Sequence, residues 1–434
     1  MAKVNRPNIV KGLTPIIYDN SGNVIDINEL DSNWYAYTDQ GSYGTDRKTS
    51  IWANARTEDG SQWVWIPRYA YKITNPGTNT ASEIDIIFLS GKSNKYEDEN
   101  GNMCDLPEGY IVHPVFTNEE KEGYPNGGWD KEVTGIWVAK YQAGFAGGGN
   151  NVEAVESNVI NTASNINKNF YGTVDLNTKF KYPVFLPLTY AYNNINVGDA
   201  YALSQDLNSE NNPYGLINNS YPHLMKKSEW GCVAYLAHSK YGRNGIQVSN
   251  NKRSLNNNPS TIFAVTGCGA SDNTYFNDRI GQMSSTTGNI YGIFDMHGTT
   301  WEMVAGYLEC DSSLLIKNAK LMVDIDNDSI VDKKSTKYVS MYKRGENVGD
   351  SQSNYLANKD RKGEAMFETS SSGNGNNSWF GDYSRFLLSS NPFFKNGGYF
   401  DTYQYDSGGG LFSYAYESAN AGTHNGFRCV LIPD

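Results

Sequence analysis

The apolar positions of the chain recur mostly at the two-residue spacing of a β-strand. Residues 63–73 alternate in this way, which predicts a single strand with one apolar face formed by Trp63, Trp65, Tyr69, Tyr71 and Ile73. Because Pro67 lacks a backbone N–H, this strand is expected at a sheet edge or a bulge. Residues 135–141 predict a second strand, and residues 426–432 predict a final one.

The N-terminal part of the chain predicts a small hairpin. Apolar runs at residues 13–19 and 24–27 flank a polar turn cluster. We therefore predict a short β-rich appendage at residues 1–61, for attachment or oligomerisation, and a main domain at residues 62–434. A polar stretch rich in turn-forming residues, at about residues 90–130, resembles an insertion in that domain.

Helical spacing predicts two helices. In the first, Ala200, Leu203 and Leu207 recur at that spacing. Asp199 is expected to cap the start of this helix. A second, amphipathic helix is predicted from Ser228 onward, and its apolar stripe, expected to pack on a sheet, comprises Trp230, Val233, Ala234, Ala237 and Tyr241.

Composition indicates an ordered, loop-rich protein with no nucleic-acid partner. Hydrophobic residues make up only 38% of the 434, but 31 Tyr, 17 Phe and 9 Trp can fill a core. The 43 Gly favour turns and irregular loops. The net charge is −11 and no stripe of Lys and Arg is visible, whereas a nucleic-acid surface needs a basic face.

The N-terminus and the cysteines bear on the compartment. The first residues lack the apolar region of a secretory signal, and no apolar run reaches the ~18 residues of a membrane span. We therefore expect synthesis in a cytoplasm and no membrane insertion. The five cysteines are widely spaced and form no C-x-x-C pair, which favours buried, reduced thiols over a disulfide framework or a zinc site.

Residues 288–304 carry a family resemblance. They read GNIYGIFDMHGTTWEMV, which resembles the signature N-x-x-G-L-Y-D-M-x-G-N-V-W-E-W-V of the formylglycine-generating-enzyme (sulfatase-modifying factor) domain. The helix that begins at Ser228, before this motif, and the G-F-R of residues 425–429, after it, resemble other parts of that domain, in the same order. The likeness covers roughly residues 62–434. It implies an α+β fold with a C-type-lectin-like core, few helices and much irregular loop.

The resemblance also shows where the chain departs from the enzymes of the family. Those enzymes hold copper through two cysteines spaced C-x-x-x-x-C upstream of G-F-R, and thiolates suit Cu(I) because both are soft. Ser413 and Ser418 stand at the matching positions, and a hydroxyl cannot replace a thiolate for that metal. Thr299 replaces the Asn of an element that binds calcium in the family. We therefore expect a pseudoenzyme without catalytic residues.

Other patterns that would carry chemistry are sparse. The five histidines form no metal-ligand pair, and neither a nucleophile elbow nor a phosphate-binding loop is present. A calcium loop is suggested by carboxylates at positions 1, 3, 5 and 9 of an EF-hand-like run, namely Asp324, Asp326, Asp328 and Asp332. Ser335 replaces the usual Glu at position 12, and the alternative is a solvated acidic turn.

Residues 371–426 are the predicted ligand face. Their aromatics lie among Gly, Ser and Asn, a mixture typical of recognition surfaces. The predicted ligand-binding residues are Trp379, Asp382, Tyr383, Tyr399, Tyr403, Tyr405, Tyr414, Tyr416 and His424. The alternative is that these aromatics fill a loop-rich core. In composition, the segment resembles the variable part of lectin-like proteins that phage retroelements diversify.

Three functions remain open. The chain resembles proteins of phages and prophages of Gram-positive bacteria, which implies a non-enzymatic virion structural or adhesion protein of the tail or capsid. Such a homo-oligomer would contact other virion proteins through residues 1–61 and host-surface carbohydrate or protein through the ligand face. The alternatives are a retroelement-diversified ligand-binding protein and a metal-dependent oxidase or hydrolase on the same scaffold. No cofactor is expected, and calcium is the alternative.

Overall fold

The chain folds into a mixed α+β structure with mostly strands, few helices and open sheets. A computed structural model describes residues 2–41, 49–118, 127–145, 182–252, 264–271, 274–319, 322–326, 329–332, 337–400 and 408–433. The first strands are β1 (Thr14–Tyr18), β2 (Val24–Asp26), β3 (Asn54–Arg56), β4 (Gln62–Pro67), β5 (Tyr69–Ile73), β6 (Ile84–Phe88), β7 (Lys95–Glu97), β8 (Met103–Asp105), β9 (Ile111–Val112), β10 (Gly135–Ala139), β11 (Gly144–Phe145) and β12 (Tyr190–Ala191). The later strands are β13 (His223–Leu224), β14 (Trp301–Leu308), β15 (Asp324–Asp326), β16 (Ser329–Asp332), β17 (Ser340–Tyr342), β18 (Phe393–Asn396), β19 (Tyr414–Glu417), β20 (Asn425–Phe427) and β21 (Cys429–Leu431).

The helices are short. They are α1 (Val197–Gln205), α2 (Lys227–His238), α3 (Ser313–Ala319) and α4 (Ser351–Leu356). Among the residues that the structure describes, none of these helices combines the length and the apolar character that a membrane span requires.

A large antiparallel sheet divides the core into two halves. Its described strands run in the order β13-β21-β10-β4-β3-β1-β2. Both faces of β4 are buried. Trp63 and Trp65 pack with Trp137 in one hydrophobic cluster, whereas Val64 and Ile66 point into the other.

The prediction of one strand over residues 63–73 is wrong in one respect. The chain leaves the large sheet after Pro67 and enters a second sheet as β5, between β6 and β9. Arg68 stands at this corner, fully buried, and donates hydrogen bonds to the carbonyl of Phe116 at 2.7 Å and to Oδ1 of Asn94 at 2.7 Å. The aromatic side chains of β4 and β5 therefore do not share one face.

A third sheet carries the C-terminal part of the chain. β17, β14, β18 and β19 are neighbours in that order, and β20 pairs with the other part of β14. The predicted final strand at residues 426–432 is therefore two strands in two sheets. The buried Arg428 separates β20, in this sheet, from β21, in the large sheet.

The N-terminal residues share a sheet and a core with the rest of the chain. The predicted hairpin is confirmed, since β1 and β2 pair antiparallel, and β1 also pairs with β3. Trp34 is fully buried, stacks on Trp137 with 6.5 Å between ring centroids, and donates its indole N–H to the carbonyl of Asn54 at 2.7 Å. The attachment role of residues 1–61 stays a prediction.

Both predicted helices exist, but their details differ from the predictions. Asn196, not Asp199, caps α1, because Oδ1 of Asn196 accepts the backbone N–H of Asp199 at 2.8 Å. All residues of α2 are buried, so it is not amphipathic, and it ends at His238, before Tyr241. The prediction for the cysteines is confirmed for Cys232, Cys268, Cys310 and Cys429, which are free and buried, whereas Cys104 is partly exposed.

Replacing Asn196 tests the assignment of the cap. Asn196→Ala should lower the free energy of unfolding by about 1 kcal/mol, because the first turn of α1 loses a side-chain acceptor. Urea unfolding followed by tryptophan fluorescence measures this change. Asn196→Ser keeps an acceptor and should cost less, and equal stabilities of Asn196→Ala and the unaltered protein would contradict the assignment.

Candidate ligand-binding surface

A buried ion pair fixes the third sheet to the large one. Arg428 donates from Nε and one terminal nitrogen to the carboxylate of Glu302 in β14, at 2.9 and 2.8 Å. Its remaining donors reach the carbonyl oxygens of Ala139 at 2.7 Å and Phe294 at 2.8 Å. Burial raises the pKa of Glu302, and the opposing charge of Arg428 limits that rise. Glu302 thus pairs with a charged side chain.

The family-like motif builds a hydrogen-bonded scaffold. The carboxylate of Asp295 accepts from the backbone N–H of Gly267 at 2.9 Å, from Asn251 Nδ2 at 2.8 Å and from the Thr299 hydroxyl at 3.1 Å. Burial raises the pKa of Asp295. Thr299 therefore serves as a hydrogen-bond donor to this carboxylate.

The β18–β19 ribbon places its side chains alternately on two faces. Lys395 pairs with Ala415 across the ribbon, and Asn396 pairs with Tyr414. Because successive strand residues point to opposite faces, Lys395 and Glu417 share one face and Tyr416 lies on the other. The Nζ of Lys395 lies 2.9 Å from a carboxylate oxygen of Glu417, and both side chains stay about one-fifth exposed.

Aromatic rings and cations gather on the Lys395 face. We name this group the cation–aromatic surface, which consists of Trp301, Tyr383, Arg385, Lys395, Tyr399, Glu417 and His424. Trp301 and Tyr383 stack with 6.2 Å between their centroids, at 13° between planes. Lys395 lies 4.8 Å from the Trp301 ring and Arg385 lies 4.0 Å from the Tyr383 ring, so that each ring carries one cation.

Arg385 is the side chain of this surface that presents guanidinium N–H donors to a ligand. It is half-buried, and its guanidinium stacks on Tyr383. Within the described ranges no carboxylate forms an ion pair with it, in contrast to the Lys395–Glu417 pair. Stacking fixes the plane of a guanidinium and leaves its five N–H donors directed outward in that plane. The geometry suits a carboxylate or phosphate group of a ligand.

The structure brings some of the predicted ligand-binding residues together and separates others. Tyr383, Tyr399 and His424 belong to the cation–aromatic surface, where Tyr399 and His424 make an edge contact at 4.8 Å. Tyr414 and Tyr416 lie on the other face of the ribbon, packed in or against the main core. Tyr403 and Tyr405 lie outside the described residues.

Two further predicted residues are interior. Trp379 is fully buried and packs against Phe412 with 5.0 Å between ring centroids. The buried carboxylate of Asp382 accepts the backbone N–H of Phe412 at 3.1 Å and a side-chain N–H of Gln247 at 3.1 Å. Burial raises the pKa of Asp382 well above its usual range. Trp379, Asp382 and Tyr414 are therefore interior residues, in agreement with the alternative that the aromatic residues of this segment fill a loop-rich core.

Sequence reasoning missed Arg385, Lys395 and Glu417. A signal for the two cations exists, because Arg385 and Lys395 are the only Arg and Lys between residues 371 and 426. A cation among aromatics often stacks on a ring. Trp301 is 2% exposed and lies beneath Lys395.

The predicted metal positions remain predictions. In the part of the chain that the structure describes, no group of three His, Cys, Asp or Glu side chains could hold a metal ion. β15 and β16 form an antiparallel hairpin that pairs Asp324 with Asp332. This backbone differs from an EF-hand loop, the side chains of Asp324, Asp326 and Asp332 are not described, and Asp328 lies outside the described residues.

At the two positions that the resemblance matches to copper ligands, Ser413 is buried and Ser418 donates to Glu417 at 3.0 Å.

Comparisons with known proteins leave the family open. No family model and no curated protein matches the chain. Among solved structures, it is similar to Treponema denticola variable protein 1, with 11% identity, a TM-score of 0.27, and coverage of 87% of this chain and 98% of that one. It is also similar to a Major Tropism Determinant I1 variant, with 10% identity, a TM-score of 0.24, and coverage of 98% of this chain and 73% of that one. Both TM-scores are too low to carry an argument about function.

Proposed function

We propose that this chain is a non-enzymatic, lectin-like binding protein that captures an anionic ligand on the cation–aromatic surface. The observation that carries the proposal is the guanidinium of Arg385, a partly buried residue, which is stacked on Tyr383 and has no ion-pair partner in the described residues. A fixed guanidinium binds carboxylate or phosphate through two parallel hydrogen bonds. The buried rings of Trp301 and Tyr399 lie behind the cations and would support them, since a binding site needs its few polar groups held in a fixed orientation.

The rest of the molecule supports a binding role. The aromatic stack is held from behind by the sheet that contains β14 and β18, which keeps the surface rigid at low entropic cost. Gly397 and Gly398, both with positive φ, end β18 and turn the chain toward Tyr399. The ligand would be host-surface carbohydrate or protein that bears acidic groups, such as a uronic acid or a phosphodiester.

Removing the guanidinium is the test. Arg385→Gln should weaken binding to an immobilised acidic glycan by about 10- to 100-fold, since a hydrogen bond to a charged group contributes about 1.5–3 kcal/mol. Arg385→Lys should recover only part of the loss, because an ammonium cannot bind a carboxylate bidentately. Biolayer interferometry against uronate-, sialate- and glycerol phosphate-bearing glycans, with neutral glycans alongside, measures the effect.

A matched control separates this site from general charge effects. Lys72 is exposed and lies 5.8 Å from the Tyr110 ring, so Lys72→Gln removes one surface cation beside a different ring. Lys72→Gln should bind as the unaltered protein does. Equal losses in the Lys72 and Arg385 variants, or preference for neutral glycans, would refute the proposal.

We further propose that the protein works on a virion and attaches through its N-terminal segment. The supporting observation is β2, a strand at the edge of the large sheet whose three residues are all exposed. Val24 and Ile25 there, and Leu30 just beyond, are 38%, 43% and 73% exposed. An open strand edge with apolar side chains is suited to pairing with another chain. Immunogold labelling of purified particles tests the location, and unlabelled particles would remove it.

A diversified version of the same binding protein is the second candidate. It is favoured by the β18–β19 ribbon. Cross-strand pairs fix the main chain of this ribbon, while the side chains of Lys395 and Glu417 stay partly exposed. Such positions can change without altering the core. Adenine-rich codons in residues 371–426 beside a reverse-transcriptase gene, together with sibling sequences that vary only there, would support it over an invariant adhesin.

A further inference from the structure

A buried lysine and a buried asparagine meet where α2 begins beside β18. Lys227 is the first residue of α2 and Asn396 is the last of β18, and both are 0% exposed. The Nζ of Lys227 lies 2.5 Å from Oδ1 of Asn396. The rings of Trp230 and Tyr414, centred 6.0 and 5.4 Å from Nζ, help to enclose the pair.

Both groups are poorly satisfied as separate side chains. A charged lysine has three donors, and within the described residues Lys227 makes a single hydrogen bond, the one to Asn396. The Nδ2 of Asn396 has no partner there at all. Burial lowers the pKa of Lys227 to about 7, against the opposing effect of Glu364. A large fraction of the amine is therefore in the neutral form, which is the nucleophilic one.

We propose that Lys227 and Asn396 join in an intramolecular amide bond. The lone pair of Nζ attacks Cγ of Asn396, a bond forms between them, and the bond from Cγ to Nδ2 breaks. One proton passes from Nζ to Nδ2, which leaves as ammonia. No oxidant, reductant or co-reactant is consumed. The product retains one N–H and one C=O in place of an amine and a primary amide, so unsatisfied donors leave the interior.

The contact distance favours this step. A carbonyl oxygen 2.5 Å from Nζ places its carbon within reach of the amine, and holding two reacting groups at such a separation replaces a bimolecular encounter. The aromatic surroundings exclude the water that would otherwise solvate the amine.

A second lysine–asparagine pair provides an internal comparison. The Nζ of Lys140 lies 2.7 Å from Oδ1 of Asn54, but it also donates to the hydroxyl of Tyr18 at 2.7 Å. The Nδ2 of Asn54 donates to the carbonyls of Trp52 and Tyr291, both at 2.9 Å. These groups are satisfied as they stand and the nitrogen that would leave is held in place, so no bond is expected there.

The bond would join residues 169 positions apart in sequence. It would tie α2 to β18, the strand that carries Lys395 of the cation–aromatic surface. The link would persist in denaturant and hold the base of the surface in place.

Intact-mass spectrometry of the purified, denatured full chain tests the proposal. The expected mass is that of the sequence less one ammonia, and a tryptic digest should contain one branched peptide that joins Lys227 to Asn396. A chain at full sequence mass, with linear peptides covering both residues, would overturn the proposal.

Variants identify the bond. Asn396→Asp should lose water in place of ammonia and reach the same final mass as the unaltered chain, whereas Lys227→Arg should keep its full mass. Lys140→Arg should still lose ammonia. Ammonia loss that persists in Lys227→Arg, in a chain that hydroxylamine then cleaves between Asn396 and Gly397, would assign a succinimide at Asn396 and overturn the proposal. Should Lys227→Arg not fold, the branched peptide and the equal masses of the unaltered and Asn396→Asp chains decide.

Discussion

Glu302→Gln should lower the free energy of unfolding by about 3–5 kcal/mol, because it removes the carboxylate that directly contacts the buried guanidinium of Arg428. Arg428 is 0% exposed, and two of its nitrogens contact the Glu302 carboxylate. The remaining hydrogen bonds of Arg428 to Ala139 and Phe294 go to neutral carbonyls, which cannot compensate the charge. The midpoint of urea unfolding, followed by tryptophan fluorescence, measures the loss.

An exposed ion pair provides the control for Glu302. Arg56 and Asp26 make a comparable two-nitrogen contact, at 2.7 and 2.6 Å, but the Asp26 side chain is about half exposed. Asp26→Asn should therefore cost no more than about 1 kcal/mol. If Glu302→Gln and Asp26→Asn cost the same, burial does not set the strength of the Glu302–Arg428 pair.

Lys140→Met should change the way stability depends on pH. Burial lowers the pKa of Lys140 well below its usual range, and its partners Tyr18, Asn54 and Ile290 offer neutral oxygens. Between the lowered pKa of the folded state and the ordinary lysine pKa of about 10.4, the unfolded chain therefore binds up to one proton more than the folded chain. Stability of the unaltered protein then rises with pH, by about 1.4 kcal/mol per pH unit, until pH reaches the ordinary pKa.

Methionine cannot take up that proton, so the variant lacks this contribution. The stability of Lys140→Met relative to the unaltered protein should be highest at the lower end of the window between the two pKa values, and should fall as pH rises. Urea unfolding at several pH values measures this slope. Lys72→Met, at an exposed lysine, should run parallel to the unaltered protein, and a flat Lys140→Met difference would show that Lys140 is charged in the fold.

The sequence pattern locates strands well but does not show where the chain changes sheet. Both wrongly continuous strands break at a buried arginine, Arg68 and Arg428. An arginine within an apolar run is normally read as a solvent-facing position. Here each guanidinium is satisfied by oxygens that are distant in sequence, including the carbonyls of Phe116, 48 positions from Arg68, and Ala139, 289 positions from Arg428. A local window contains no information about such partners.

The candidate site shows a similar division. Aromatic content directs attention to Tyr383, Tyr399 and His424, which the structure places on the cation–aromatic surface, because rings dominate recognition surfaces. The same content cannot separate them from Trp379 and Tyr414, which are core residues. Which face a ring occupies depends on the register of β18 with β19 and on its neighbour β14, and these pairings are set by tertiary structure.

The place of β21 between β13 and β10 has a consequence for biosynthesis. β21 pairs with β10 in the large sheet, but the two strands are far apart in sequence. Arg428, next to β21, and Ala139, at the end of β10, are in contact although they are 289 positions apart. At a ribosomal rate of about 5–20 residues per second, the nascent chain carries β10 with one bare edge for tens of seconds before its neighbour emerges. Aggregation during synthesis should therefore begin at that edge, and slower initiation or a lower growth temperature should raise the soluble yield.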